Sequence, residues 1–155
     1  MRRLIRLLVR LVIAAAVLRA VATAIVRFVG ERDDPEAEDF DLLAVMDGRH
    51  FVSRARRLRG GRIRVVAGGA DVDLRQAGLS PEGAGVEVDV WLGGVRLLVA
   101  PEWRVEVDAE VRSGESRVDV PDPGTLPPDA PVLRIHAAVK AGGLEVTTRP
   151  DEALR

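Results

Sequence analysis

The stretch Ile63-Arg64-Val65-Val66-Ala67-Gly68-Gly69-Ala70-Asp71-Val72-Asp73-Leu74 decides the fold. Apolar and polar side chains alternate on both sides of a glycine pair, which is strand spacing and not helix spacing. Glycine takes positive φ at little cost, so the pair marks a turn. The phrase returns as Val86 to Leu97 around Gly93-Gly94, as Val105 to Val120 around Ser113-Gly114, and as Leu133 to Val146 around Gly142-Gly143. A fainter copy, Phe40 to Phe51, turns at Gly48. Taking the second turn position as Gly48, Gly69, Gly94, Gly114 and Gly143, the steps are 21, 25, 20 and 29 residues. A repeat of that period marks a stack of units that each bury a face on a neighbour. Repeat length alone leaves two architectures open, a solenoid and an antiparallel meander of hairpins packed as a sandwich or barrel.

The same residues carry a family resemblance. The glycine-pair turns, Val72-Asp73-Leu74-Arg75-Gln76-Ala77 and Val99-Ala100-Pro101-Glu102-Trp103-Arg104-Val105 resemble the LiaF-like C-terminal domain of bacterial responses to cell-wall-active antibiotics. The resemblance covers about residues 40 to 150. It departs at the aromatic expected before each glycine pair, where Ala67, Leu92 and Ala141 stand, and at Pro101-Glu102-Trp103, which lacks a glycine before the tryptophan. The resemblance implies an all-β fold, a β-helix-like solenoid, here of about five short rungs; the alanine- and leucine-rich residues before it are expected to form one N-terminal α-helix. It further implies regulation of a sensor histidine kinase, or another membrane protein, in the cell-envelope stress response; the domain itself is expected to be a non-enzymatic interaction module, the alternative being a structural or lipid-binding accessory membrane protein without a signalling role.

The segmentation expected is an N-terminal membrane-associating helix over 1–29, an acidic linker over 30–39, the β domain over 40–150 and a tail over 151–155. Arg2, Arg3, Arg6 and Arg10 flank an apolar stretch reaching Val29, with Arg19 inside it and Arg27 near its end. A mid-membrane arginine costs about 3 kcal/mol on insertion scales, which the aliphatic residues around it offset if Arg10 and Arg27 snorkel. Three readings stay open: a spanning anchor, an interfacial helix, and a cleaved signal peptide with Ala22-Thr23-Ala24 as its small-residue site. The spanning reading places the protein in the bacterial cell membrane as a single pass, N terminus in the cytoplasm and domain outside.

Composition bounds the rest. Hydrophobic residues make up 47% and aromatic ones 3%, so the core is built from aliphatic side chains. The net charge is −1, and no bulk field favours nucleic acid. With no cysteine, disulfides and thiolate chemistry are excluded. Lys140 is the one lysine beside 22 arginines.

Several local clusters carry polar side chains suited to binding or chemistry. Arg54, Arg56, Arg57 and Arg59 form a candidate basic patch toward lipid headgroups, or a solvated loop. No nucleic-acid motif accompanies them, and no nucleic-acid partner is expected. Asp71 and Asp73 share strand parity, and the stretch Gly68 to Leu74 resembles part of the glycine-aspartate nonapeptide of calcium-binding β-rolls. The repeat here is more than twice as long, and solvent-facing roles are expected for both. His50 and His136 fall on different repeats, and Ser53, Ser80, Ser113 and Ser116 lack a nucleophile-elbow context. No catalytic, cofactor or metal constellation follows from the spacing. Gly48, Gly68, Gly69, Gly93, Gly94, Gly114, Gly142 and Gly143 are expected to be structural turns. Trp91 and Trp103 are expected in the core, at an end of the stack, or as a ligand platform. End repeats invite self-association by edge pairing, with Phe40 to Phe51 capping one end and the Pro150 tail guarding the other.

Overall fold

The computed structural model describes residues 12–16 and 34–149. The chain forms two compact units, Met1–Glu31 and Arg32–Arg155. In the first, residues 12–16 are helical and exposed. The rest of the expected membrane-associating helix, the linker before Asp34 and residues 150–155 lie outside the described residues. Among the described residues no helix is long and apolar enough to cross a membrane.

The second unit is all-β. Its strands are β1 (Asp39–Val45), β2 (Gly48–Val52), β3 (Gly60–Asp73), β4 (Ala84–Leu98), β5 (Arg104–Val111), β6 (Gly114–Asp119), β7 (Val132–Val139) and β8 (Gly142–Thr147). They form a single eight-stranded sheet. Every strand pair in it is parallel, which excludes the meander of hairpins. The two long strands serve as rails. The first half of β3 pairs with β1 and the second half with β2. β4 pairs with β3 on one side and with β7 and then β8 on the other. Among the described residues β5 pairs only with β7, and β6 only with β8. The tiers therefore run β1–β2, β3, β4, β7–β8, β5–β6.

That order corrects the expectation that each repeat packs on the next in sequence. The last repeat is inserted between the third and the fourth. Outward-facing charges supply a physical reason. Partners on adjacent parallel strands lie one strand spacing apart, and like charges at that distance destabilise. Across the tiers one outward row reads Asp41, Arg62, Glu87, His136, Asp108. Another reads His50, Asp71, Arg96, Glu145, Arg117. The sign alternates throughout both, counting histidine as the basic member. In sequence order Glu87 would face Asp108 and Arg96 would face Arg117.

The return to the inserted tier needs slack, which residues 120–131 provide. Prolines keep this stretch out of the sheet. Asp122 accepts a hydrogen bond from the Gly124 N–H at 2.8 Å and caps a 3-10 turn, Pro123–Thr125. The chain rejoins beside β5, where the Arg104 N–H donates to the Pro131 carbonyl at 2.8 Å and the Arg104 guanidinium to that of Pro127 at 3.0 Å.

Inward positions stack as aliphatic rows. Ala44, Val65, Val90 and Val139 are all buried in register, as are Phe51, Val72, Leu97 and Val146. Each valine, leucine or phenylalanine in these rows contributes roughly 1.5–3 kcal/mol by leaving water. The segments between strands send Ala55, Leu58, Leu74, Ala77, Val99, Ala100 and Trp103 into the same core. At the β1–β2 end Phe40 and Phe51 stack with centroids 5.0 Å apart. The Phe40 ring lies over Gly61, where a Cβ would overlap it. The far end is β5–β6, while β8 leaves toward Pro150 from an inner tier; the tail expected to guard an end lies outside the described residues. On β6 every residue is exposed, Val118 included.

The turn glycines divide into two kinds. Gly93, Gly114 and Gly142 have φ between 128° and 135°. A Cβ on any of them would run into the backbone of the next tier's turn. The second glycine of each pair is roomy: a Cβ on Gly69, Gly94 or Gly143 would sit 3.6–3.7 Å from the nearest atom. Register also moves Gly114. It pairs with Gly142, in the first turn position, while Glu115 holds the second, opposite Gly143.

Candidate functional site

The second halves of the tiers form an open groove of about 690 Å³. Its floor is the row of second-position residues, Gly48, Gly69, Gly94 and Gly143, with Glu115 at the end. The missing side chains there create the depression. The alternating row from His50 to Arg117 lines it. Arg96 Nε donates to Glu145 Oε2 at 2.9 Å, both half-buried. Arg117 Nη2 reaches Glu115 Oε1 at 3.5 Å within β6. Arg49 and His50 at the near end also line a smaller depression that reaches Arg54.

The opposite outward row is more solvent-exposed. Arg62 donates twice to Glu87 Oε2, at 2.9 and 2.7 Å, which raises the Arg62 pKa. Arg64 donates to both oxygens of Asp41, at 2.9 and 3.0 Å. His136 Nδ1 lies 3.6 Å from Asp108 Oδ2, and Arg134 Nε 3.3 Å from Glu106 Oε2. Beside that row Asp89, Ala138 and Glu110 are in register. Two carboxylates thus flank a position with no charge, within a shallow depression that also takes in His136. Among the described residues no group of histidine and acidic side chains is arranged to hold a metal ion.

Each residue singled out in the sequence has a place. Asp71 is exposed in the groove, but Asp73 is buried, which corrects the solvent-facing expectation. Its carboxylate accepts from Arg75 three times: from the backbone N–H at 3.0 Å, from Nε at 2.9 Å and from Nη2 at 2.6 Å. Those hydrogen bonds hold the Asp73 pKa below the usual carboxylate value, against the opposing effect of burial. The Asp73-Leu74-Arg75 phrase is thus a turn lock at the end of β3. Ser80 is buried, and its carbonyl, not its hydroxyl, accepts from the Gly83 N–H at 2.8 Å.

Arg54, Arg56, Arg57 and Arg59 are all exposed on the segment between β2 and β3. Arg59 lies 3.8 Å from Glu38, an acid of the sequence just before β1. His50 and His136 belong to the two separate outward rows. The tryptophans part company. Trp103 is core, whereas Trp91 is 58% exposed, with Lys140 Nζ 3.3 Å from its ring centroid. The groove and the alternating rows do not emerge from the sequence while the repeats are stacked in chain order with Gly114 one place out of register. Aligning on the first turn position and comparing outward charges was the signal that would have found them.

No family model matches the chain, and no curated protein or solved structure matches it either.

Proposed function

We propose that the β unit is a LiaF-like β-solenoid and a non-enzymatic docking domain, tethered to the bacterial cell membrane by the N-terminal segment and regulating a sensor histidine kinase of the envelope stress response. The observation that carries the docking reading is the groove, an open face crossing all five tiers whose charges alternate in sign. A face of that kind suits an extended partner segment with complementary charges, read by position and not by bulk field. Burial of Trp103 and the Asp73–Arg75 lock give structural roles to the phrases behind the resemblance, and so support it. The single-pass topology places the domain outside the cytoplasm, and a C-terminal reporter active only in the cytoplasm would overturn that placement.

A photo-crosslinking residue at Arg117, on the exposed β6, tests the partner. Capture of a histidine kinase in cells under cell-wall stress is the expected result. Capture only of lipid, or only of a second copy, would replace the signalling role with that of an accessory membrane protein. The exposed Trp91 favours this second reading specifically.

A further inference from the structure

Among the described residues of the β unit, the exposed large apolar side chains are Met46, Val66, Trp91, Leu92 and Val118. All but Val118 stand where the two halves of successive tiers meet. The Met46 N–H donates to the Val66 carbonyl at 3.0 Å, and Val66 pairs with Leu92. The next tier continues with Lys140, whose N–H donates to the Val90 carbonyl at 2.8 Å and whose ammonium covers Trp91. Arg112 follows, its N–H donating to the Val139 carbonyl at 2.9 Å. One edge therefore carries an apolar ridge over the first three tiers and exposed cations over the last two.

We propose that this ridge docks on the surface of an anionic lipid bilayer. An indole with one apolar face and a ring N–H settles at the headgroup level, where tryptophan is enriched. Lysine and arginine beside it meet lipid phosphates, each worth about fivefold in partitioning near an anionic surface. The rest of the surface argues for this orientation. Between residues 34 and 149 acids outnumber lysine and arginine 20 to 15, so an anionic membrane repels the unit in general. On the ridge itself the acid nearest in sequence, Asp47, is engaged by the Gly48 N–H at 2.8 Å. The inference rests on the ridge and stands whether or not residues 1–29 span.

The test uses the full chain with vesicles of phosphatidylglycerol and phosphatidylcholine carrying brominated acyl chains, reading flotation and tryptophan fluorescence separately. Trp91 is expected to be quenched by the bromolipid. In Trp91→Phe the remaining emission, from buried Trp103, is expected to be insensitive to it. Lys140→Glu and Arg112→Glu are each expected to weaken quenching about fivefold or more, with circular dichroism unchanged. Flotation without quenching of Trp91 would mean that the N-terminal segment binds and the ridge does not, and would overturn the proposal alone. Absence of both flotation and quenching would overturn it together with the tether. Equal quenching in pure phosphatidylcholine would remove the role given to the cations. Shielding of Trp91 from acrylamide only on addition of an acidic protein would assign the ridge to that class and overturn the lipid.

Discussion

The two glycines of each turn look alike in sequence and differ in what they do. At Gly93 φ is 128° and a Cβ would overlap the Gly68 backbone, so no side-chain adjustment relieves it. Gly93→Ala is expected to cost about 3 kcal/mol or more, seen as a large fall in the urea midpoint. Gly94→Ala places its methyl 3.6 Å from the Gly143 carbonyl, an ordinary contact. That variant is expected to be unchanged, or up to about 1 kcal/mol more stable, because alanine restricts the unfolded chain. If both variants fall equally, the division of the pair is wrong. Asp73 offers a second test at this scale. Its folded pKa is depressed, chiefly by hydrogen bonds from Arg75. The folded state therefore binds a proton less readily than the unfolded chain. The resulting stability is fully present above the unfolded carboxylate value of about 3.9 and is lost as pH falls through the folded one. Asp73→Asn is expected to lose about 1–3 kcal/mol at neutral pH. It should also flatten the decline of stability below about pH 4, measured by denaturant titration across pH.

Among the strands, the outward rows behave as one electrostatic unit, and one position breaks the pattern. Arg64, Asp89, Ala138 and Glu110 face successive tiers, and alternation calls for a cation at Ala138. Ala138→Lys is expected to stabilise by about 0.5–1 kcal/mol at low salt, with the gain fading as salt rises. A gain that ignores salt would show that the lysine stem, and not its charge, is responsible. Much at this scale was legible beforehand. The strand phrase from Ile63 to Leu74 lies in β3 but for Leu74, that from Val86 to Leu97 lies in β4, and the proline-rich stretch lies off the sheet. Period-2 patterning records which face each residue takes, and that survives any rearrangement of the tiers. The site was less legible. The two outward residues in contact at Arg96 and Glu145 lie 49 positions apart, and only the tier order joins them. Trp91 and Trp103 could not be told apart because each sits at a break in alternation, where parity carries no information.

For the whole molecule the inserted tier sets a problem of assembly. β7 and β8 come last in the chain, yet they lie between β4 and β5–β6. Until they arrive, β5 and β6 have no native partner, since each pairs with nothing else among the described residues. Their turn glycine would also fit the edge of β4, because Gly114 and Gly142 share the first turn position. That substitute pairing would set Glu87 against Asp108 and Arg96 against Arg117, each disfavoured by like charge. The charges thus oppose the mispaired order and keep the β4 edge open. Non-local parallel pairing of this kind folds slowly, in milliseconds to seconds. In pulsed hydrogen exchange during refolding, β3 and β4 amides are expected to gain protection first. Those of β5 (Arg104–Val111) should follow together with β7 (Val132–Val139). Protection of β5 ahead of β7 would mean that the chain first stacks in sequence order and must then reopen. In that event Arg117→Glu, which turns one repulsive pair attractive, should prolong the trapped phase. If like charge does exclude the mispaired order, Arg117→Glu should instead create an early β6 protection that the wild-type chain lacks.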